Sequence, residues 1–129
     1  MTGQIMGCIG EHADSCEAIA FSKTMPIAAS GGMDAKIFIY DLKDLSIRLT
    51  VDLSEFGGIT RLFFSKNDGN TIVCSTAAGE LHLIDQRNGE IKKTLRGHVE
   101  PVNEVIEIPG QKLLVSAGDD KLCRLFSTE

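Results

Sequence analysis

His12, Ser30 and Asp34 supply the three residue types of a hydrolytic triad: a hydroxyl nucleophile, an imidazole to take its proton, and a carboxylate to orient the ring. The same types return as His98, Ser116 and Asp120, each 86 residues further along. A nucleophilic serine needs one strained, exposed position, as in a G-x-S-x-G elbow, and neither serine lies in such a motif. A set that recurs at one fixed offset reads as a structural device copied with the chain. No catalytic residue and no enzyme activity is expected. The competing hydrolase reading requires Ser30→Ala to abolish turnover and leave the fold intact.

Other chemistry is thinner. Cys8, Cys16, Cys74 and Cys123 contain no C-x-x-C pair, and His12, His82 and His98 are not spaced with them as zinc ligands. No metal and no cofactor is expected, and the cysteines read as four buried, reduced thiols. There is no GxxxxGK[ST] loop; Gly31-Gly32 and Gly57-Gly58 read as turn glycines. Six Phe, one Tyr and no Trp argue against an aromatic cage for methyl-lysine. Arg87, Lys92, Lys93 and Arg96 read as a solvated outer strand, because 18 acidic against 13 basic residues leave a net charge of -5. That balance argues against direct nucleic-acid binding and is compatible with a basic protein partner. The longest stretch without Asp, Glu, Lys or Arg, residues 69–79, is too short for a membrane span. Residues 1–8 carry no positive charge ahead of their apolar side chains, so no secretory signal is expected, and the cytoplasm, or the nucleus, is.

The offset of 86 organises the whole chain. Gly-x-His at 10–12 and Gly-His at 97–98 stand at this offset, as do Ser30 and Ser116, Asp34 and Asp120, and Tyr40 and Phe126. Half of it, 43, brings in a drifted middle copy, in which Ile59, Leu62 and Phe64 repeat the spacing of Cys16, Ile19 and Phe21. Each unit consists of short apolar runs between turn signals, with alternation clearest in AKIFIYD and ELHLID. The pattern predicts strands over 15–21, 26–30, 35–41, 46–52, 58–64, 71–76, 80–85, 90–95, 101–108, 112–117 and 122–126. The first strand of each unit breaks alternation at Cys16 to Ile19, Ile59 to Leu62 and Val102 to Val105, which calls for a bulge.

A repeat of about 43 residues that opens with Gly-His, holds Asp at a tight turn and closes with Tyr40-Asp41 resembles the WD-repeat family of β-propellers. The expected fold is all-β: three blades of four-stranded antiparallel sheet, the last lacking its fourth strand. In that family a His, a Ser or Thr, the turn Asp and a Trp form a buried network. The resemblance assigns His12, Ser30, Asp34 and Tyr40 to it in one blade, and His98, Ser116 and Asp120 with Phe126 in another. The chain has no Trp, and of the substitutes at that position only Tyr40 can still hydrogen-bond. The middle copy has Glu55, Cys74, Ala78 and Ile84 at the four places, so apolar packing alone is expected to hold it. More narrowly, MPIAASGGMDAKIFIYDLKDL, LRGH and LLVSAGDDKLCRLF resemble the C-terminal blades of the angio-associated migratory cell protein family, which includes a ribosomal-protein chaperone.

The resemblance implies a protein-interaction scaffold whose contacts lie on the rim, at Ser15, Glu17 and Met33, at Gly58, Thr60 and Ala77, and at Pro101, Asn103 and Asp119. Glu17 and Asp119 suit a basic client such as a ribosomal protein. Blade boundaries fall at 10–53, 54–96 and 97–129, with residues 1–9 as a closing strand or part of a preceding blade. Three blades fall short of a ring, so a portion of a longer propeller, with no independent function, is the further expectation. Two copies associating would supply six blades, and unpaired ends predict marginal solubility of the chain alone.

Overall fold

The computed structural model describes residues 3–129. Eleven strands follow in chain order: β1 (Cys16–Phe21), β2 (Ile27–Gly32), β3 (Lys36–Asp41), β4 (Ser46–Asp52), β5 (Ile59–Phe64), β6 (Thr71–Thr76), β7 (Glu80–Asp85), β8 (Ile91–Arg96), β9 (Val102–Glu107), β10 (Leu113–Gly118) and β11 (Cys123–Ser127). They form three antiparallel meanders: β1-β2-β3-β4, β5-β6-β7-β8 and β9-β10-β11. These are the expected blades, with the third one strand short.

Burial follows from the stacking of the blades. One face of the first blade, with Ala18, Ala29, Ile37 and Ile39, meets Ile59, Leu62, Ile72 and Ile84 of the second. The opposite face of the second, with Val73, Leu81, Leu83 and Leu95, meets Val102, Val105 and Leu114 of the third. The middle blade is therefore covered on both sides, which is why every residue of TIVCST in β6 is buried. Ile37, Ile39, Ile59, Ile72 and Ile84 have no exposure at all, and each such burial stabilises the stack by about 1.5–3 kcal/mol.

The bulges lie where alternation breaks. Pairing slips between Cys16 and Ala18 in β1, between Ile59 and Arg61 in β5, and opposite Ala117 and Gly118 in β9. The β2–β3 class of turn also repeats. Ala35, Gly79 and Lys121 occupy one left-handed position, at φ 63, 91 and 69, and donate to Gly32, Thr76 and Gly118. In the outer blades an aspartate precedes this residue and accepts from the strand that follows, Asp34 from Lys36 N–H and Asp120 from Leu122 N–H. The middle blade has lost that aspartate and holds glycine at the strained position, with the Thr76 hydroxyl accepting from Glu80 N–H instead.

Two expectations need correction. Residues 4–9 are not in a strand: no sheet edge pairs with them, and Ile5 and Met6 stand 88% and 95% exposed, while residues 1–2 of that segment lie outside the described residues. Only Cys74 is a buried thiol; Cys8, Cys16 and Cys123 are exposed, the last on a face of the third blade that no neighbour covers. Ile19 and Phe21 stand exposed. The bulge turns Ala18 inward, so its neighbours face the uncovered side of the first blade.

Candidate functional site

The loop preceding β1 folds back over β2 and β3. Gly10 permits this, since a Cβ there would lie 2.2 Å from the Tyr40 hydroxyl. His12 consequently stacks on Phe38, with ring centroids 4.3 Å apart. Its Nδ1 lies 3.0 and 3.1 Å from the two carboxylate oxygens of Asp34, and its Nε2 lies 2.8 Å from Ser30 Oγ. Tyr40 completes the chain, 2.8 Å from the same Oγ. One proton arrangement satisfies all four groups: Tyr40 donates to Ser30, Ser30 to His12 Nε2, and His12 Nδ1–H to Asp34. Burial pushes the Asp34 carboxyl up, but the Ala13 N–H, the His12 ring and the Lys36 N–H bind its ionised form and leave it below the ordinary value.

The third blade repeats the geometry. His98 Nδ1 is 2.8 Å from Asp120 and Nε2 is 2.6 Å from Ser116 Oγ. Burial raises the Asp120 carboxyl, and hydrogen bonds from His98 and Leu122 more than reverse this. Gly32 and Gly118 make equal room, since a Cβ at either would sit 2.7 Å from the histidine Nδ1. Phe126 lies where Tyr40 does and offers no hydroxyl. Ser30 and Ser116 are buried at 3% and 1% exposure, each with its hydroxyl proton committed to a ring nitrogen. A substrate carbonyl has no approach to either, and the arrangement clamps loop, strand and turn together.

The middle blade keeps polar chemistry, contrary to the expectation of apolar packing alone. His82 is completely buried, with Nδ1 2.9 Å from Thr94 Oγ1 and Nε2 3.4 Å from Glu80 Oε2. Phe56 lies over its ring and Arg96 holds the other Glu80 oxygen at 3.3 Å. Sequence reasoning passed over His82 because it occupies a strand position, equivalent to Phe38, where the network has no member. The lost aspartate and the TAAGE turn were the available signal.

Of the proposed rim residues, Ser15 and Glu17 are exposed and bonded to each other at 2.6 Å, and Met33 is 38% exposed above Gly58. Asn103 and Asp119 are likewise exposed and joined at 2.6 Å, beside half-buried Pro101, whose carbonyl accepts from Asp119 N–H. The middle blade offers less surface. Gly58 is buried, Ala77 is half-buried, and Thr60 donates to the Val102 carbonyl at 2.5 Å, which ties the second blade to the third. No group of His, Cys, Asp and Glu able to hold a metal occurs among the described residues.

Three stacked meanders, the first and third with a returning loop clamped on the strands and turn beneath it, define a partial WD-type propeller. The family model for the WD domain, G-beta repeat, matches residues 3–41 and 89–127, more than half of the chain, and the protein belongs to that family. The unmatched stretch between, 42–88, holds β4 of the first blade and β5, β6 and β7 of the blade that lost its network. The chain is similar to the angio-associated migratory cell protein of Homo sapiens, at 26% identity over 118 residues, 92% of this chain and 26% of that protein. It is similar to the meiotic recombination protein rec14 of Schizosaccharomyces pombe, at 30% identity over 94% of this chain and 39% of the relative. Among solved structures, Sqt1 of Saccharomyces cerevisiae superposes with a TM-score of 0.77 at 25% identity, covering 88% of this chain and 31% of that one. The chain thus spans well under half the length of these relatives.

Proposed function

We propose that this protein is a non-enzymatic interaction scaffold that binds a basic protein client at the loop end bearing the His-Ser-Asp clamps. The observation that carries the reading is charge segregation. Asp14, Glu17, Asp52, Glu55, Glu100 and Asp119 are all exposed at that end, against Lys121, a half-buried Lys36 opposite Asp52 and an Arg96 already engaged by Glu80. The opposite end mixes its signs, with Lys23, Lys43, Lys66, Arg87 and Lys112 among its acids. A surface with a strong excess of one sign steers an oppositely charged partner and selects against others. A large-subunit ribosomal protein, encountered in the cytoplasm or nucleus during assembly, is the client that the family resemblance implies. Titration with an Arg/Lys-rich peptide tests the reading: Glu17→Lys with Asp119→Lys weakens binding about tenfold and flattens its salt dependence. Equal affinity of the two proteins would overturn it.

The outer blade faces support a second, compatible interaction. Ile19 is 62% exposed, whereas its repeat counterparts Leu62 and Val105 are 6% and 2% exposed against the preceding blade. Leu125 is 64% exposed, and its counterpart Ile39 is fully covered. Both faces are therefore built to receive further blades, from a longer chain or a second copy. Light scattering reads the difference: a second copy doubles the mass, and Leu125→Glu abolishes the doubling.

A further inference from the structure

We propose that the gap between the second and third blades, of about 510 Å³ and opening at the end opposite the clamps, binds a small organic anion whose charged oxygens lie between Lys93 and Lys112. The inference is independent of the basic client assigned above to the clamp end. The gap exists because two repeat positions have changed. Between the first and second blades the corresponding space is closed. There Leu49 packs on the core, and Gln86 accepts from Arg48 at its main-chain and side-chain oxygens, 2.6 and 2.5 Å away, while donating to Asn70 at 3.0 Å. In the next blade Lys93 stands opposite Leu83, as Leu49 stands opposite Ile39. Thr128 N–H bonds to the Lys112 carbonyl, as Gln86 N–H bonds to that of Asn70. A lysine and a threonine thus replace the leucine and the glutamine, and a space of small-molecule size stays open over Val73 and Leu83.

The charged groups around this space set what it takes. Three lysines line it against two carboxylates, Asp68 and Glu107. Both carboxylates are already engaged: Asp68 accepts from Asn70 N–H, the Thr71 hydroxyl and Lys92, and Glu107 accepts from the Ser65 hydroxyl and Lys66 N–H. Lys92 turns back to its own blade, onto Asp68 and Thr71. Lys93 is half-buried and reaches across to the Glu129 main-chain oxygen at 2.5 Å. Lys112 stands 3.9 Å from the Glu129 carboxylate, beyond hydrogen-bond reach. An ammonium carries three protons, so among the described residues Lys93 keeps two for a ligand and Lys112 keeps all three. Their contacts with Glu129 show the chemistry they accept, oxygen that is anionic or strongly polarised. Carboxylate and phosphate both present such oxygens to a lysine pair, which binds them as point charges.

Nuclear magnetic resonance titration of the full chain tests this with three probes of one size: phenyl phosphate, phenylacetate and benzylamine. Phenyl phosphate or phenylacetate shifts the amide signals of Lys93, Lys112 and Thr128 to saturation, and the tighter of the two identifies the anionic group. Benzylamine, of opposite charge, binds roughly tenfold more weakly or not at all. Lys93→Leu, which installs the residue of the first gap, and Lys112→Gln each weaken the anions about tenfold. Lys43→Gln, an exposed lysine outside the gap, leaves them unchanged. Circular dichroism and thermal melts show that the variants keep the fold, and the 68% exposure of the Lys112 side chain makes that variant the safer of the two in the gap. Four results would overturn the proposal: no saturable shift with either anion, benzylamine binding as tightly as the anions, anion affinity unchanged in both gap variants, or an equal loss in Lys43→Gln, which would assign the binding to general surface charge.

Discussion

Phe56 lies over His82 with ring centroids 4.5 Å apart, and His12 lies over Phe38 at 4.3 Å in the neighbouring blade. Loop and strand have exchanged their ring types between the two blades. A ring contact survives the exchange, tilted at 57° where the first blade's is stacked at 26°, but the polar consequences do not. In the first blade the imidazole sits at the loop and bridges serine and aspartate. In the second it is buried in the sheet, and His82 Nε2 and Glu80 Oε2 are left without hydrogen-bond partners.

That exchange gives the middle blade a pH-dependent stability. Burial pushes the His82 pKa below its ordinary 6.5, with the Glu80 charge raising it and the Arg96 charge lowering it further. The unfolded chain therefore takes up the proton first as pH falls. Stability contributed by neutral His82 is present in full above pH 6.5 and declines as pH drops below that value toward the lower pKa of the fold. Thermal melts across this window show a falling Tm for the wild type. His82→Phe, which restores the residue type of the first blade, reduces the slope; an unchanged slope would assign it to other groups.

The two clamps are unequal, and single substitutions expose this. Ser30 bonds to both His12 and Tyr40, whereas Ser116 bonds only to His98. Ser30→Ala strands two buried partners and costs about 2–3 kcal/mol, while Ser116→Ala strands one and costs about 1–2 kcal/mol. Tyr40→Phe reproduces the third blade's arrangement and costs about 1 kcal/mol. Urea unfolding measures all three. Equal losses at Ser30 and Ser116 would show that the Tyr40 hydroxyl contributes nothing.

The carboxylates of those clamps act at lower pH. Asp34 and Asp120 are both held below the ordinary 3.8, so their contribution is present above that value and is lost as pH falls through the lowered pKa. Asp34→Asn keeps the shape, removes this acid-sensitive term and costs about 1–3 kcal/mol at neutral pH, because a charge-assisted bond becomes a neutral one. Acid titration followed by circular dichroism separates the variant from the wild type below pH 3.8.

All eleven strands and the three bulges were legible in the sequence because period-two alternation is a local signal that each copy reinforces, and both clamps were legible because the residues repeated at the 86-residue offset match the network that the WD-repeat resemblance implies. What stayed hidden depends on neighbours in space. The offset between Ala18 and Ile19 decides which of the two meets the second blade, and only the bulge geometry settles it. Residues 4–9 have the composition of a strand, but a strand exists only where an edge receives it. His82 was invisible as a site residue because its partners, Glu80 at the start of its own strand and Thr94 and Arg96 on β8, are not members of the repeat motif.

The repeated turn yields the sharpest contrast, because one backbone position carries three different residues. At Gly79 the backbone has φ 91, and an added Cβ would meet the His98 carbonyl oxygen at 2.5 Å and the Glu100 carbonyl oxygen at 2.9 Å. Neither contact can be relieved by rotating a side chain, since both are to backbone. Gly79→Ala therefore combines left-handed strain with overpacking and costs about 2–4 kcal/mol. Lys121 holds the equivalent place at φ 69 with its side chain exposed. Lys121→Gly relieves about 1–2 kcal/mol of strain and gives back about 0.4–1 kcal/mol through the freer unfolded chain, so the net change is a small stabilisation. Paired thermal melts check the two together: a Tm drop for Gly79→Ala with a rise or no change for Lys121→Gly is expected, and matched losses would mean that the turn does not impose the same backbone conformation in the two blades.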